Sequence, residues 1–219
     1  MSVELRKRLY AELDALVLID PHTHINPHQP ASTTLADILG YHYYTELAHS
    51  AGMPKAEIEA PDLDPREKVG RLMANLAPLT NTIQYSWFLE IADVFFGMTA
   101  EQVTADNGLS LYDAALDKMS QPDWPAQVLR LSKLEAVFLT NEIDDTLDGF
   151  DTRVYIPCLR TDDLVFRLHD TSVYQRLEAA TDHSIADPAS LRQALGKLFD
   201  HFVANHARAC AIPCRPTSL

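Results

Sequence analysis

Four short apolar runs, two of whose three separations are long stretches of helical patterning, constrain the fold of this 219-residue chain more than any other feature. They lie at residues 16–19, 135–140, 153–157 and 208–212. Short runs rich in β-branched residues and bounded by turn signals predict buried strands. Strands separated by helices or by long helical insertions favour parallel β-α units over an antiparallel sheet. The expected fold class is therefore α/β, with the chemistry placed where strands end.

Helix start and stop signals lie between the first and second runs and between the third and fourth. Asp64-Pro65 and Asp187-Pro188 each combine an N-cap residue with proline at the first helical position. Thr99 and Gln102 have the spacing of a capping box, which also predicts a helix start. The expected helices cover residues 3–13, 42–51, 64–77, 83–96 and 187–206.

Composition excludes several classes of protein. With 18 basic against 31 acidic residues, the formal net charge is −13, which makes nucleic acid a poor partner. No run approaches eighteen consecutive apolar residues, so a membrane span is not expected. The three cysteines, Cys158, Cys210 and Cys214, cannot all pair with one another, and no export signal precedes the first helix. We therefore expect free thiols and a cytoplasmic location.

The sharpest motif is Asp-Pro-His-Thr-His at residues 20–24, where the first predicted strand ends. Residues two apart on an extended segment project to the same side, so His22 and His24 can reach one ion. Neutral imidazole suits zinc and other borderline divalent metals. Nine histidines would produce roughly 0.4 such pairs by chance, so the motif draws its weight from its position at a strand end. His28 is expected to be a loop residue.

This motif resembles that of the amidohydrolase superfamily of metal-dependent barrels, and within it most resembles the uronate (glucuronate) isomerases. Three further segments carry the resemblance. Residues 39–47, with Ala51-Gly52, resemble the family's Asp-His-Tyr helix and the glycine that closes it. Residues 140–145 resemble its Asp-rich loop after the second strand, and residues 156–162 resemble its Pro-x-x-Arg-Pro-Asp segment.

The resemblance implies a divalent metal, most simply zinc, bound by His22 and His24, which polarises a sugar hydroxyl or carbonyl. It also implies that Arg160 binds an anionic or oxygen-rich group of the substrate, since a guanidinium presents a planar fork of donors. The alternative for Arg160 is a structural ion pair with Asp162 or Asp163.

Two residues of the helix predicted at 42–51 complete the implied site. Tyr43 is the expected catalytic residue, which positions the substrate or transfers a proton. The alternative is that Tyr43 belongs to the core or the rim. His42 is expected to hydrogen-bond the sugar, or else to complete the packing of the adjacent turn.

The resulting expectation is a partial (β/α)8 barrel, a single incomplete domain over residues 1–219, corresponding to the N-terminal half of a uronate isomerase. Residues 30–132 form a mainly helical insertion between the first and second strands. The expected activity is metal-dependent aldose-ketose isomerisation of a sugar acid or related carbohydrate, with the isolated chain inactive. The alternatives are a metal-dependent hydrolase and a non-catalytic half-barrel that pairs with another chain. The expected partners are a carbohydrate substrate and either a second copy or a missing C-terminal half.

Overall fold

The architecture comes from a computed structural model, which describes residues 2–212. It is an α/β arrangement of five short strands and eleven α-helices within that range. The α/β class predicted from the sequence is confirmed. Cys214 lies outside the described residues.

In chain order the elements are α1 (Val3–Asp14), β1 (Leu18–Asp20), α2 (Leu35–Leu39), α3 (His42–Ser50), α4 (Lys55–Ile58), α5 (Pro65–Ala74), α6 (Ile83–Phe96), α7 (Gly108–Met119), α8 (Trp124–Leu131), β2 (Leu134–Phe138), β3 (Tyr155–Ile156), β4 (Cys158–Arg160), α9 (Asp162–Phe166), α10 (Thr171–Thr181), α11 (Pro188–Ala204) and β5 (Ala209–Ala211).

The chain divides into two compact units. One, the β-α unit, combines residues up to Pro30 with residues from Lys133 onward, and it contains every strand. The other, the helical unit, is Ala31–Ser132, which the chain inserts between β1 and β2. None of the described helices is both long enough and apolar enough to cross a membrane.

Every strand pairing is parallel. β1 pairs with β2, β2 pairs with β3, and β4 pairs with β5. Pro157 separates β3 from β4, since proline cannot donate to a ladder. An isolated bridge between Asn141 and Leu159 continues the β2 direction alongside β4. The strands therefore follow one another in the order β1, β2, β3 with β4, and β5, so their carboxyl ends share one edge.

The sequence predicted that the first strand is buried, and this is wrong. Leu18 is 48% exposed and Ile19 is 55% exposed. β1 has only β2 as a neighbour within residues 2–212, and α1, which precedes it, has no buried residue. An apolar run is buried only when something packs on it, and in this structure the free edge and faces of β1 contact solvent.

Local signals explain most helix ends. Asp64 and Asp187 cap α5 and α11 by accepting hydrogen bonds from the second and third helical amides, as predicted. Gly97 ends α6 with φ of 70°, a left-handed conformation that costs glycine no Cβ clash. The Thr99–Gln102 capping box is present, but it opens only a single 3-10 turn, Ala100–Gln102, rather than the predicted helix.

Each unit has its own apolar core. In the β-α unit the core joins α10 and α11 to β4, with Leu177, Leu198 and Phe202 at most 2% exposed. In the helical unit Phe88, Leu111 and Trp124 lie in a second cluster built from α2 to α8. Full burial of one such side chain is worth about 1.5–3 kcal/mol, so each core can hold its own helices together.

His49 links α3 to α4 in the helical unit. Its Nδ1 lies 3.0 Å from the Met53 carbonyl oxygen and its Nε2 lies 2.7 Å from Glu59. Both contacts are satisfied at once only by the doubly protonated ring. The hydrogen bond to Glu59, then that to Met53, raises the pKa of His49 above its ordinary value.

We expect the stability that His49 contributes to fall as pH rises. Because folding raises the pKa, the contribution is fully present below about pH 6.5 and is lost as pH rises through the higher folded value. The difference in free energy of unfolding between the parent and His49→Gln should therefore shrink from about pH 5.5 to about pH 8. His169→Gln, at an exposed position, is the control. A pH-independent difference for His49→Gln would contradict this expectation.

Candidate functional site

The Asp-Pro-His-Thr-His motif lies at the carboxyl end of β1. The His22 amide donates to Asp20 Oδ1 at 3.1 Å, which turns the chain out of the strand. Thr23, between the two histidines, is tied to the end of β2: its amide donates to the Phe138 carbonyl at 3.0 Å, and its carbonyl accepts from Thr140 Oγ1 at 2.7 Å. The motif backbone is therefore anchored while both imidazoles remain exposed.

The two imidazoles lie together. The ring centroids of His22 and His24 are 5.0 Å apart with the rings nearly perpendicular, a separation compatible with both rings binding one divalent ion. Within the part of the chain that the structure describes, no group of three or more His, Cys, Asp or Glu side chains could hold a metal ion. The pair therefore supplies two imidazoles, one fewer than the usual set of three protein ligands at a catalytic zinc site.

A polar cavity of about 440 Å³ lies beyond the ends of β2 and β4 in the same unit. Arg160, at the end of β4, lines this cavity. Its Nε donates to Asp162 at 3.1 Å, and its Nη1 lies 3.5 Å from Glu142. Both ion pairs, that with Asp162 first, raise the pKa of Arg160. Of the two predicted roles, the ion pair with Asp162 is present, and it orients a guanidinium that is 42% exposed.

A second arginine organises the acidic side of this cavity. Arg176, on α10, contacts Asp144 at 2.5 Å, Asp163 at 2.7 Å and Glu142 at 3.3 Å. The hydrogen bond from Arg176 lowers the pKa of Asp144. Asp163 is only 8% exposed, and its carboxylate contacts both this arginine and Arg167, the latter at 3.3 Å. Arg176 therefore fastens the loop after β2 to the start of α9.

The sequence pointed to the acidic loop at 140–145 but not to Arg176. Arg176 lies 34 positions after Glu142 and belongs to no local motif, so only the packing of α10 brings it to the loop. No signal in a single sequence could have identified it.

A smaller cavity of about 280 Å³ adjoins the loop after the histidine motif. His28 lies in its wall, with its ring 5.6 Å from that of Phe150. Gly149 approaches the same ring so closely that a Cβ there would lie 3.1 Å from it, and its φ is +77°. His28 is a loop residue, as predicted, and it forms no three-residue ligand group with the motif histidines.

His42 and Tyr43 belong to the helical unit, at the start of α3. Their rings are 4.4 Å apart and both contact the ring of Tyr41, at 4.2 and 5.1 Å. Tyr43 is 50% exposed, so it is not a core residue. All three rings are accessible to a ligand.

The chain is similar in sequence to uronate isomerases. Uronate isomerases from Salmonella paratyphi B (strain ATCC BAA-1250 / SPB7) and Salmonella typhimurium (strain LT2) are each 28% identical to the chain over 228 residues, covering 94% of it. The resemblance to the uronate isomerases is confirmed. The chain spans about half the length of these relatives, 48%. No protein-family model matches the chain.

Solved structures of uronate isomerases share the fold. The glucuronate isomerase of Caulobacter crescentus superposes with a TM-score of 0.78 at 19% identity, covering 93% of this chain and 47% of that protein. The uronate isomerase of Thermotoga maritima gives 0.77 at 17% identity, covering 93% and 48%. The similarity to these isomerases therefore extends over both compact units, again with about half of the other protein matched.

Proposed function

We propose that this chain carries part of a metal-dependent aldose-ketose isomerase that acts on sugar acids, built on part of a (β/α)8 barrel and located in the cytoplasm. The observation that carries the proposal is the pair of adjacent imidazoles at the carboxyl end of the first parallel strand. The similarity to uronate isomerases over 94% of the chain supports the reaction class.

In this proposal His22 and His24 hold a divalent metal, taken as zinc. The metal supplies Lewis acidity toward a carbonyl or hydroxyl oxygen of the sugar when it is bound. The backbone between the two histidines is anchored through Thr23, so it needs little ordering when the ion arrives. Metal affinity gains from such preorganisation because less ordering is needed on binding.

Arg160 is the proposed partner of the substrate carboxylate. Asp162 holds one edge of its guanidinium, while the contact to Glu142 is longer, at 3.5 Å, and is the one that a carboxylate would displace. The resemblance assigns Tyr43 a catalytic role, positioning substrate or moving a proton at its phenolic oxygen, and assigns His42 a hydrogen bond to the sugar. Tyr43 and His42 are both exposed, which this proposal requires.

One observation favours a second reading, a non-catalytic half-barrel. The described residues offer two histidines where a catalytic metal site uses about three protein ligands. We therefore propose that the chain binds metal and sugar acid but needs further barrel strands, from a second copy or from a missing C-terminal half, to turn substrate over.

The proposal is tested by titrating the zinc-loaded chain with a uronate, a neutral hexose and a sugar lactone while recording imidazole NMR signals. We expect the uronate alone to shift the signals of His22 and His24, and only when zinc is present. His28→Ala is the matched control and should leave the response intact. Equal responses to uronate and neutral hexose, or a response that needs no metal, would contradict a metal-dependent sugar-acid site.

A further inference from the structure

Glu142, in the loop after β2, bridges two arginines that line the polar cavity. Its Oε1 lies 3.5 Å from Arg160 Nη1, and its Oε2 lies 3.3 Å from Arg176 Nη2. One carboxylate therefore spans the gap between the two guanidinium groups, with one oxygen toward each. Because a guanidinium group presents donors that suit a carboxylate, the gap fits this chemical group whether the chain or a ligand supplies it.

Glu142 is held less closely than the carboxylates beside it. The shortest contacts to the same two guanidinium groups are 3.1 Å for Asp162, 2.7 Å for Asp163 and 2.5 Å for Asp144, against 3.3 Å for Glu142. The pKa of Arg160 agrees with this order, since its hydrogen bond to Asp162 raises it most and the charge of Glu142 raises it less. The ion pairs of Glu142 are therefore the weakest of this group.

Glu142 is also the carboxylate that can turn into solvent. Its side chain is 40% exposed, whereas those of Asp162 and Asp163 are 19% and 10% exposed. The side chain of Asp144 is 43% exposed, but Arg176 binds both of its oxygens, at 2.9 and 2.5 Å. Displacing Glu142 therefore breaks two long contacts and leaves the shorter ones in place.

The balance of charge requires that a ligand carboxylate enter by exchange. With Arg167 and its partner Asp170 included, five carboxylates face three guanidinium groups in this part of the described chain. A further anion added to this excess of negative charge would be repelled. If the ligand carboxylate takes the place of Glu142, whose side chain moves into water, the two guanidinium groups keep the same number of anionic partners.

We propose that Arg160 and Arg176 together bind the carboxylate of the sugar acid, and that Glu142 occupies this place in the free chain as an internal competitor. The inference rests on the proposed function, which supplies the sugar acid as the ligand. It adds a second guanidinium group to the carboxylate site and makes the affinity for a sugar acid depend on Glu142. A neutral sugar brings no charge to replace the two broken ion pairs, so the competitor favours acids over neutral sugars.

The test is the affinity of Glu142→Gln for glucuronate, measured without zinc from the guanidinium Nε–H NMR signals of Arg160 and Arg176. Glutamine keeps the size of the side chain and removes its charge. We expect the affinity to rise at least about threefold, as loss of a competing exposed ion pair implies, and both arginine signals to shift on binding. Glucose, the neutral sugar, should gain no affinity. Asp148→Asn is the matched control, since it removes one charge from the same loop at a side chain that contacts Thr146, and it should change the affinity less than about 1.5-fold.

Unchanged or weaker binding of glucuronate by Glu142→Gln overturns the inference, and so does the absence of binding by both the parent and the variant. A gain that Asp148→Asn reproduces overturns the role of Glu142, and a shift confined to Arg160 overturns that of Arg176. Failure of the proposed function is seen separately, in the zinc-dependent signals of His22 and His24. Stronger binding by Glu142→Gln with no response of these histidines would support the carboxylate site and contradict the proposed metal site.

Discussion

Replacing both motif histidines, His22→Ala with His24→Ala, is expected to lower zinc affinity by at least about 100-fold. Loss of an outer partner of a metal ligand already costs about 10–100-fold, and this variant removes both imidazole ligands themselves. The change should leave folding intact, because both side chains are exposed and the backbone anchors run through Thr23. Competition with a chromogenic chelator, with metal content measured by elemental analysis, gives the affinity.

His28→Ala is the control for this pair, since it removes an exposed imidazole only a few residues away that joins no ligand group. It should bind zinc as the parent does. Zinc content that is equal in the parent and in the double variant would show that the motif is not the metal site.

Arg176→Met is expected to destabilise the β-α unit by about 2 kcal/mol. The side chain spans three carboxylates, and its loss leaves Asp163, 8% exposed, with Arg167 as its charged partner. Breaking a buried ion pair lowers the free energy of unfolding more than breaking an exposed one. Because Arg176 is 34% exposed, solvent screening reduces the loss. The pKa of Asp144 should also rise toward its ordinary value, because the hydrogen bond from Arg176 is its main cause of depression.

Urea unfolding and carboxylate NMR titration measure the two effects. Arg153→Met is the matched control: it removes an arginine that is 88% exposed and pairs with Asp151, and it should change stability by less than about 0.5 kcal/mol. An equal loss of unfolding free energy in the two variants would contradict the role of Arg176 in holding the loop after β2 to α9. An unchanged pKa of Asp144 in Arg176→Met would contradict it as well.

The parallel strands and the histidine pair could be predicted because both depend on local pattern. The run at 135–140 is recognisable as a strand from its own apolar residues. His22 and His24, two positions apart after β1, project to the same side of an extended segment, and this does not depend on the surrounding fold. Gly97 and Asp187 also act within one turn of a helix, so the C-terminus of α6 and the N-terminus of α11 could be predicted from the sequence.

Features that depend on distant partners could not be predicted in this way. Leu18 and Ile19 have the composition of a buried strand, but their burial depends on a neighbour at the free edge of β1. Arg176 meets Glu142 only because α10 packs beside β4. The capping box at Thr99 sets the start of a turn, while the following Val103 leaves helical geometry with ψ of 83° and ends it.

We propose that the chain holds the metal and sugar-acid part of a uronate-isomerase-type site without the full set of catalytic ligands. The most direct measurement is turnover of a panel of uronates, lactones and amides by the zinc-loaded chain, followed by NMR. We expect uronate to be bound and no substrate to be converted above a zinc-only background. Conversion of a uronate at about 1 s⁻¹ or faster would show that this chain alone suffices for turnover, and hydrolysis of a lactone or amide would contradict the isomerase assignment.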